Sequence, residues 1–220
     1  MSLSFSQLSP NAGHIIAKFA LATTEEVVSG QQWYKSAHEI ASRLARNNNI
    51  TTAKAAGILA ALSPNNKWER NCLDAERLIQ AYIHGDEDDA RNINVCTYGA
   101  MKEKAIKILN LSNDLGNYTH KELYEFTDII EILNGPKIIE FYNCIMQRND
   151  VCIDGHAYSI WFGERMTMKQ VPNIGKRLRE RIKSDYLDAT SWINEEMQTN
   201  YLPSDIQAIT WICHKRIYKI

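Results

Sequence analysis

In the stretch LNGPKIIEFYNCIMQRNDVCIDGHAYSIW, residues 133–161, Lys137 follows a Gly-Pro turn and Asp154 precedes another apolar helix seventeen residues further on. The partial positive charge at a helix N-terminus stabilises a carboxylate and destabilises an ammonium. An aspartate and a lysine in those places suit an anionic stabiliser of a cationic transition state and an amine nucleophile. The same residues also have plain structural roles: Pro136 is a good first helical residue, Asp154 a good N-cap, and Lys137 an ordinary lysine on a first turn.

Other candidates are weighed in the same way. The run GKRLRERIK, residues 175–183, holds five cations, beginning with Lys176 and Arg177. It reads either as a set of phosphate contacts or as a solvated helix face. His156 reads as a hydrogen-bonded structural histidine, because His14, His38, His84, His120 and His214 show no ligand spacing with it. The five cysteines, Cys72, Cys96, Cys144, Cys152 and Cys213, form neither a C-x-x-C pair nor a cluster-binding run. They are expected to be small core residues in a reducing compartment, and no metal or cofactor is implied.

Gly135, Lys137 and the step through an amphipathic helix to VCIDGH resemble the helix-hairpin-helix (HhH-GPD) DNA glycosylase superfamily. The likeness is to its lysine-bearing 8-oxoguanine glycosylase and endonuclease III types, and to a short branch of the kind phages and bacteria encode. It implies that Lys137 is the Schiff-base lysine, that Asp154 is the essential aspartate, and that His156 follows it by two. GILAALSPNNKWERNCLDAERLI, residues 57–79, is similar to the earlier helix-loop-helix of that superfamily, whose loop pushes a polar side chain into the gap left by a flipped base. Asn65 or Asn66 is then that wedge, with Trp68 beside it for stacking; the alternative is that the two asparagines cap the helix beginning near Lys67. KEKAIKIL (102–109) and DIQAITWICHKR (205–216) take the places of two further family helices. The hairpin LNGPK is about two residues shorter than the family's and lacks its second glycine, and the four-cysteine iron-sulfur tail is absent.

The elements that must position these residues read almost throughout with a helical period, and strand-like alternation is hard to find. The expected fold is all-α, with helices near 10 to 28, 31 to 46, 52 to 62, 67 to 84, 98 to 110, 119 to 126, 128 to 133, 136 to 147, 155 to 163, 174 to 197 with a break, and 204 to 218. Thr97 is read as one cap and Ser204 with Gln207 as a capping box before Ile206, Ile209, Cys213 and Ile217, a helix buried on one face. Asp86 to Asp89 read as an acidic solvated connection. A chain of 220 residues with 45% hydrophobic content supports one large domain, expected as a central lobe over 47–148 and a second lobe of 1–46 plus 149–220 flanking a cleft.

The net charge of −1 neither announces nor excludes a nucleic-acid partner, since local patches matter more than the sum. The first thirty residues lack a signal-peptide core and no apolar run reaches the ~18 residues of a membrane span, so a cytoplasmic or nucleoid-associated monomer without membrane contact is expected. The leading reading is a base-flipping DNA glycosylase, with strand cleavage through Lys137. Two others stand beside it: a non-catalytic DNA-binding helical module, and an enzyme that modifies bases or nucleotides on the same scaffold.

Overall fold

The computed structural model describes residues 5–111 and 121–219. They form α-helices joined by turns, with one short 3-10 turn at Phe5–Gln7 and no strand among the described residues. The chain is therefore all-α. It divides into two compact units: residues 1–35 with 147–220, and residues 36–146. One boundary falls inside a helix at Lys35/Ser36 and the other just after Met146, which differs from the expected limits at 46 and 148.

The first unit contains α1 (Pro10–Ala20), the start of α2 (Thr24–Asn48), α9 (Gly155–Phe162), α10 (Lys176–Met197) and α11 (Pro203–Tyr218). Helix α1 begins at Ser9, whose Oγ accepts the Ala12 N–H at 3.0 Å, and buries Ala12, Ile15, Ile16 and Phe19 at helical spacing. These pack with Ile153, Ile160, Trp161, Ile182, Tyr186 and Ile206 into one core. The expected helix over 10–28 is divided because Thr23 and Glu26 exchange bonds: the Thr23 N–H donates to Glu26 Oε2 at 2.9 Å and the Glu26 N–H to Thr23 Oγ1 at 3.3 Å. That capping box restarts the chain as α2. Helix α2 runs on through Gly30, where a Cβ would stand 2.6 Å from the Ile209 backbone of α11, so the glycine permits the crossing.

Helix α10 is continuous, without the expected break. Helix α11 starts earlier than residue 204: Pro203 takes the first position and Asp205 Oδ2 accepts the Leu202 N–H at 2.9 Å, in place of a Ser204 cap. Every residue from Pro203 to Thr210 is buried. The first half of the helix is enclosed because α1, α9 and α10 all pack on it, whereas from Trp211 on burial is one-sided, with Cys213 and His214 buried and Arg216 exposed.

The second unit contains the rest of α2 and α3 (Thr52–Ala61), α4 (Trp68–His84), α5 (Glu87–Asn92), α6 (Gly99–Leu109), α7 (Lys121–Leu133) and α8 (Pro136–Ile145). Helix α3 is apolar on all sides, buried from Lys54 to Ala61, and packs on α4, α6, α7 and α8. Its one cation, Lys54, donates to the carbonyls of Leu109 and Leu111 at the C-terminal end of α6, where positive charge is favoured.

The expected acidic connection is the short helix α5. Asp86 Oδ1 accepts the Asp89 N–H at 2.9 Å, and Glu87, Asp88 and Asp89 occupy a first turn that favours carboxylates. Tyr98, not Thr97, precedes α6; the Thr97 hydroxyl donates to the Pro64 carbonyl at 2.8 Å. The two helices expected at 119 to 126 and 128 to 133 are one, α7; residues 119 and 120 lie outside the described residues. Cys144, Cys152 and Cys213 are buried as expected, but Cys72 is half-buried and Cys96 exposed.

Candidate functional site

Asp150, Val151, Cys152 and Ile153 run without helical structure into α9, with the middle of the segment buried. Two cations of α10 hold it: Lys183 donates to Asp150 Oδ1 at 2.6 Å and Arg179 Nη1 to the Ile153 carbonyl at 2.9 Å. Arg181 lies 5.6 Å from the Trp161 ring centre. Three of the five cations in the α10 run therefore serve the fold, while Lys176 and Arg177 are exposed on its first turn.

Asp154 is the N-cap of α9. Its Oδ1 accepts the N–H groups of both His156, at 2.9 Å, and Ala157, at 2.8 Å. One oxygen is thereby fixed, while Oδ2 takes no hydrogen bond from the described residues. A Cβ at Gly155 would meet Met168 Sδ at 2.9 Å, so the glycine lets that exposed methionine lie across the start of the helix. The far end of α9 is closed by Gly163 at φ 93°, against which the His14 ring packs, and by Asn11 Nδ2 donating to the Trp161 carbonyl at 3.1 Å. Beneath the helix, Asp185 accepts Trp161 Nε1–H and the Ser9 hydroxyl, each at 2.6 Å.

The structure adds partners the sequence does not announce. The His214 ring of α11 lies 5.9 Å from that of His156 and 4.7 Å from that of Tyr218, edge to face in both cases. His214 is 1% exposed, and neither of its ring nitrogens has a hydrogen-bond partner among the described residues; Nδ1 of His156 is also buried without one there. Burial is the main force that pushes the His214 imidazole down to about 4, reinforced by Lys18, His156 and Arg165 and opposed by Asp154. It is a neutral ring near pH 7. Burial also pushes the Tyr186 hydroxyl up, with Asp154 adding to the effect. Lys18 Nζ stands 5.1 Å from the centre of Tyr218 and the Arg165 guanidinium 5.6 Å from it. Asp154, His156, His214, Tyr218, Lys18 and Arg165 thus form one polar group in the first unit. A trace of it was legible in sequence, since His214 and Tyr218 are four apart on one helical face.

The other predicted residues belong to the second unit. Lys137 is exposed on the first turn of α8, after the two-residue link Asn134-Gly135. The left-handed residue of that link is Asn134, at φ 39°, whereas Gly135 is extended. Asn65, also left-handed at φ 55°, is exposed and donates through Nδ2 to the Tyr98 hydroxyl. Asn66 points elsewhere, donating to buried Asp74 at 3.2 Å. Asp74 also accepts Arg70 Nε–H at 2.7 Å and the Cys96 N–H at 2.8 Å. Neither asparagine caps α4, whose N-cap Lys67 makes no side-chain bond. Trp68 is half-buried, 6.0 Å from the Phe141 ring. Tyr98, which accepts from Asn65, is 58% exposed.

Among the described residues no three or more His, Cys, Asp or Glu side chains are grouped so as to hold a metal ion, and no helix is long and apolar enough to cross a membrane.

The all-α chain that carries this group belongs to a known protein family. It is a member of DUF7178, a family of unknown function, whose profile matches residues 3–217. No curated protein and no solved structure matches the chain.

Proposed function

We propose that the protein is a DNA glycosylase that removes a damaged or modified base, with Asp154 as its essential carboxylate. The observation that carries this reading is the state of that side chain: one oxygen is fixed by two backbone amides and the other takes no donor from the described residues. An anion held in this way, beside the neutral His214 ring, suits electrostatic stabilisation of the positive charge that develops on a sugar as its base departs.

The base must leave the stack for a side chain to reach the glycosidic carbon. Asn65, between α3 and α4, and Tyr98, at the start of α6, are joined through their side chains and supply an amide and an aromatic ring suited to entering the resulting gap. In base removal the C–N bond breaks, its electron pair leaves with the base, and water adds to the anomeric carbon. In the bifunctional form the Lys137 side-chain nitrogen adds there instead, giving up its proton. Opening of the sugar gives an imine, and loss of the 3′ phosphate by β-elimination cuts the strand.

The test is borohydride trapping and base release on duplexes and single strands carrying 8-oxoguanine, uracil, abasic sites or modified pyrimidines. An adduct lost in Lys137→Ala and release lost in Asp154→Asn establish the bifunctional enzyme. Release without an adduct restricts the chemistry to Asp154. Neither adduct nor release on any substrate rejects the glycosylase.

A further inference from the structure

Base removal by Asp154 leaves the most unusual groups of the first unit unused. His214 is almost wholly enclosed, and both of its nitrogens, one of them necessarily a donor in the neutral ring, meet no protein partner. His156 presents a further buried nitrogen in the same state. Fully buried polar atoms are normally satisfied, so three on two neighbouring rings mark a place built for a group the chain does not itself contain.

The charges say what kind of group. Lys18 from α1 and Arg165 from the turn after α9 converge on the Tyr218 ring, which in turn contacts His214. Among the described residues neither cation forms an ion pair with a carboxylate. Both lie near enough to His214 to oppose its protonation. Asp154, the anion that acts on the same ring, already has one oxygen committed to backbone amides. Two unpaired cations and two histidines with unmet nitrogens, delivered by separate elements, match an oxyanion with several acceptor oxygens and more charge than a carboxylate.

We propose that Lys18, Arg165, His156 and His214 form a binding site for a phosphoryl group, with Tyr218 as the side chain that turns aside to admit it. Lys18 and Arg165 take the outer oxygens, and the histidine rings take the inner ones. Phosphoryl chemistry of this kind is offered both by a free phosphate or nucleotide and by the backbone of a nucleic acid. The inference rests on charge, burial and geometry alone, so it holds whether or not Asp154 removes a base.

The experiment follows the histidine ring resonances of the 15N-labelled full chain during titration with inorganic phosphate, pyrophosphate and a thymidine dinucleotide bearing a single phosphodiester. Potassium chloride at matched ionic strength serves as the control. Saturable shifts of His214 and His156, absent in chloride and weakened about tenfold by Lys18→Met or Arg165→Met, are expected. Lys215→Met, which removes a cation of α11 that lies over Trp211, should leave them unchanged. Saturation by phosphate or pyrophosphate identifies a free ligand, and saturation by the dinucleotide alone identifies a nucleic-acid backbone. No saturable response to any of the three probes, or equal weakening in Lys215→Met, overturns the proposal.

Discussion

The His214 imidazole stands 5.9 Å from that of His156, ring centre to ring centre, and is enclosed so fully that both its nitrogens lack a hydrogen-bond partner. That relationship couples the stability of the first unit to pH. The unfolded histidine takes a proton near 6.5, the folded one only near 4. Between those values the unfolded state binds more protons, so acidification favours unfolding. Lys18, His156 and Arg165 act in the same direction, and Asp154 against it. Urea unfolding should give a stability that is level above pH 6.5 and falls by ~3 kcal/mol toward pH 4. In His214→Gln that fall should largely vanish. An unchanged slope in the variant refutes the assignment.

Asp154 has a capping role and a proposed chemical one, and two substitutions separate them. Asparagine retains an oxygen for the His156 and Ala157 amides, so Asp154→Asn should unfold within ~0.5 kcal/mol of the parent. Asp154→Ala loses both bonds and should cost about 1–2 kcal/mol. Both should reduce base release by a factor on the order of 100 or more. A fully active Asp154→Asn protein would make the residue a cap and nothing else.

Tyr98 and Asn65 offer a test of DNA contact that leaves the core untouched. Tyr98→Ala should weaken binding to a duplex containing an abasic site by about 1–3 kcal/mol, with thermal stability changed by less than ~0.5 kcal/mol. Equal affinity of parent and variant in a fluorescence anisotropy titration removes Tyr98 from the interface.

Asp185 is a structural carboxylate, 5% exposed and accepting from Ser9 and Trp161. Asp185→Leu strands both donors in the core and should cost about 3 kcal/mol. Ser9→Ala, which loses the α1 cap and one of those bonds, should cost about 1–2 kcal/mol. Denaturant titrations of the two proteins give the order directly, and the reverse order rejects this account.

Two glycines inside helices should respond with opposite signs. At Gly30 a Cβ meets the Ile209 backbone, which cannot rotate away, so Gly30→Ala should cost ~3 kcal/mol or prevent folding. At Gly13 a Cβ meets nothing within 4 Å, and Gly13→Ala should stabilise α1 by about 0.5–1 kcal/mol. Melting temperatures moving in the same direction would contradict the packing at α2 and α11.

Much of the local structure was legible in residue types alone. Helical period and turn residues lead to an all-α chain, and Asp154 reads as the start of a helix, because a cap involves only a few consecutive residues. The Thr23 and Glu26 box is an equally local signal, since the two residues are three apart in the chain. Boundaries at Thr97 and Ser204 were misplaced because their neighbours Tyr98 and Leu202 hold the N-cap positions while distant or enclosed partners decide what each side chain bonds.

What surrounds Asp154 was decided by tertiary structure. Nothing in the period of α1 or α11 says that Lys18, His214 and Tyr218 meet beside α9, because periodicity marks which face is buried but not which helix it faces. The same holds for α11, whose enclosure from Pro203 to Thr210 comes from the helices around it. The amino-acid sequence by itself determined the helices, their approximate ends and a carboxylate at one of their N-termini, all consequences of short-range hydrogen bonding and side-chain spacing. Packing decided which cations were absorbed into the fold, as Arg179 and Lys183 are, and which converge on the Tyr218 ring, as Lys18 and Arg165 do, since contacts between distant residues exist only once the helices have chosen their neighbours.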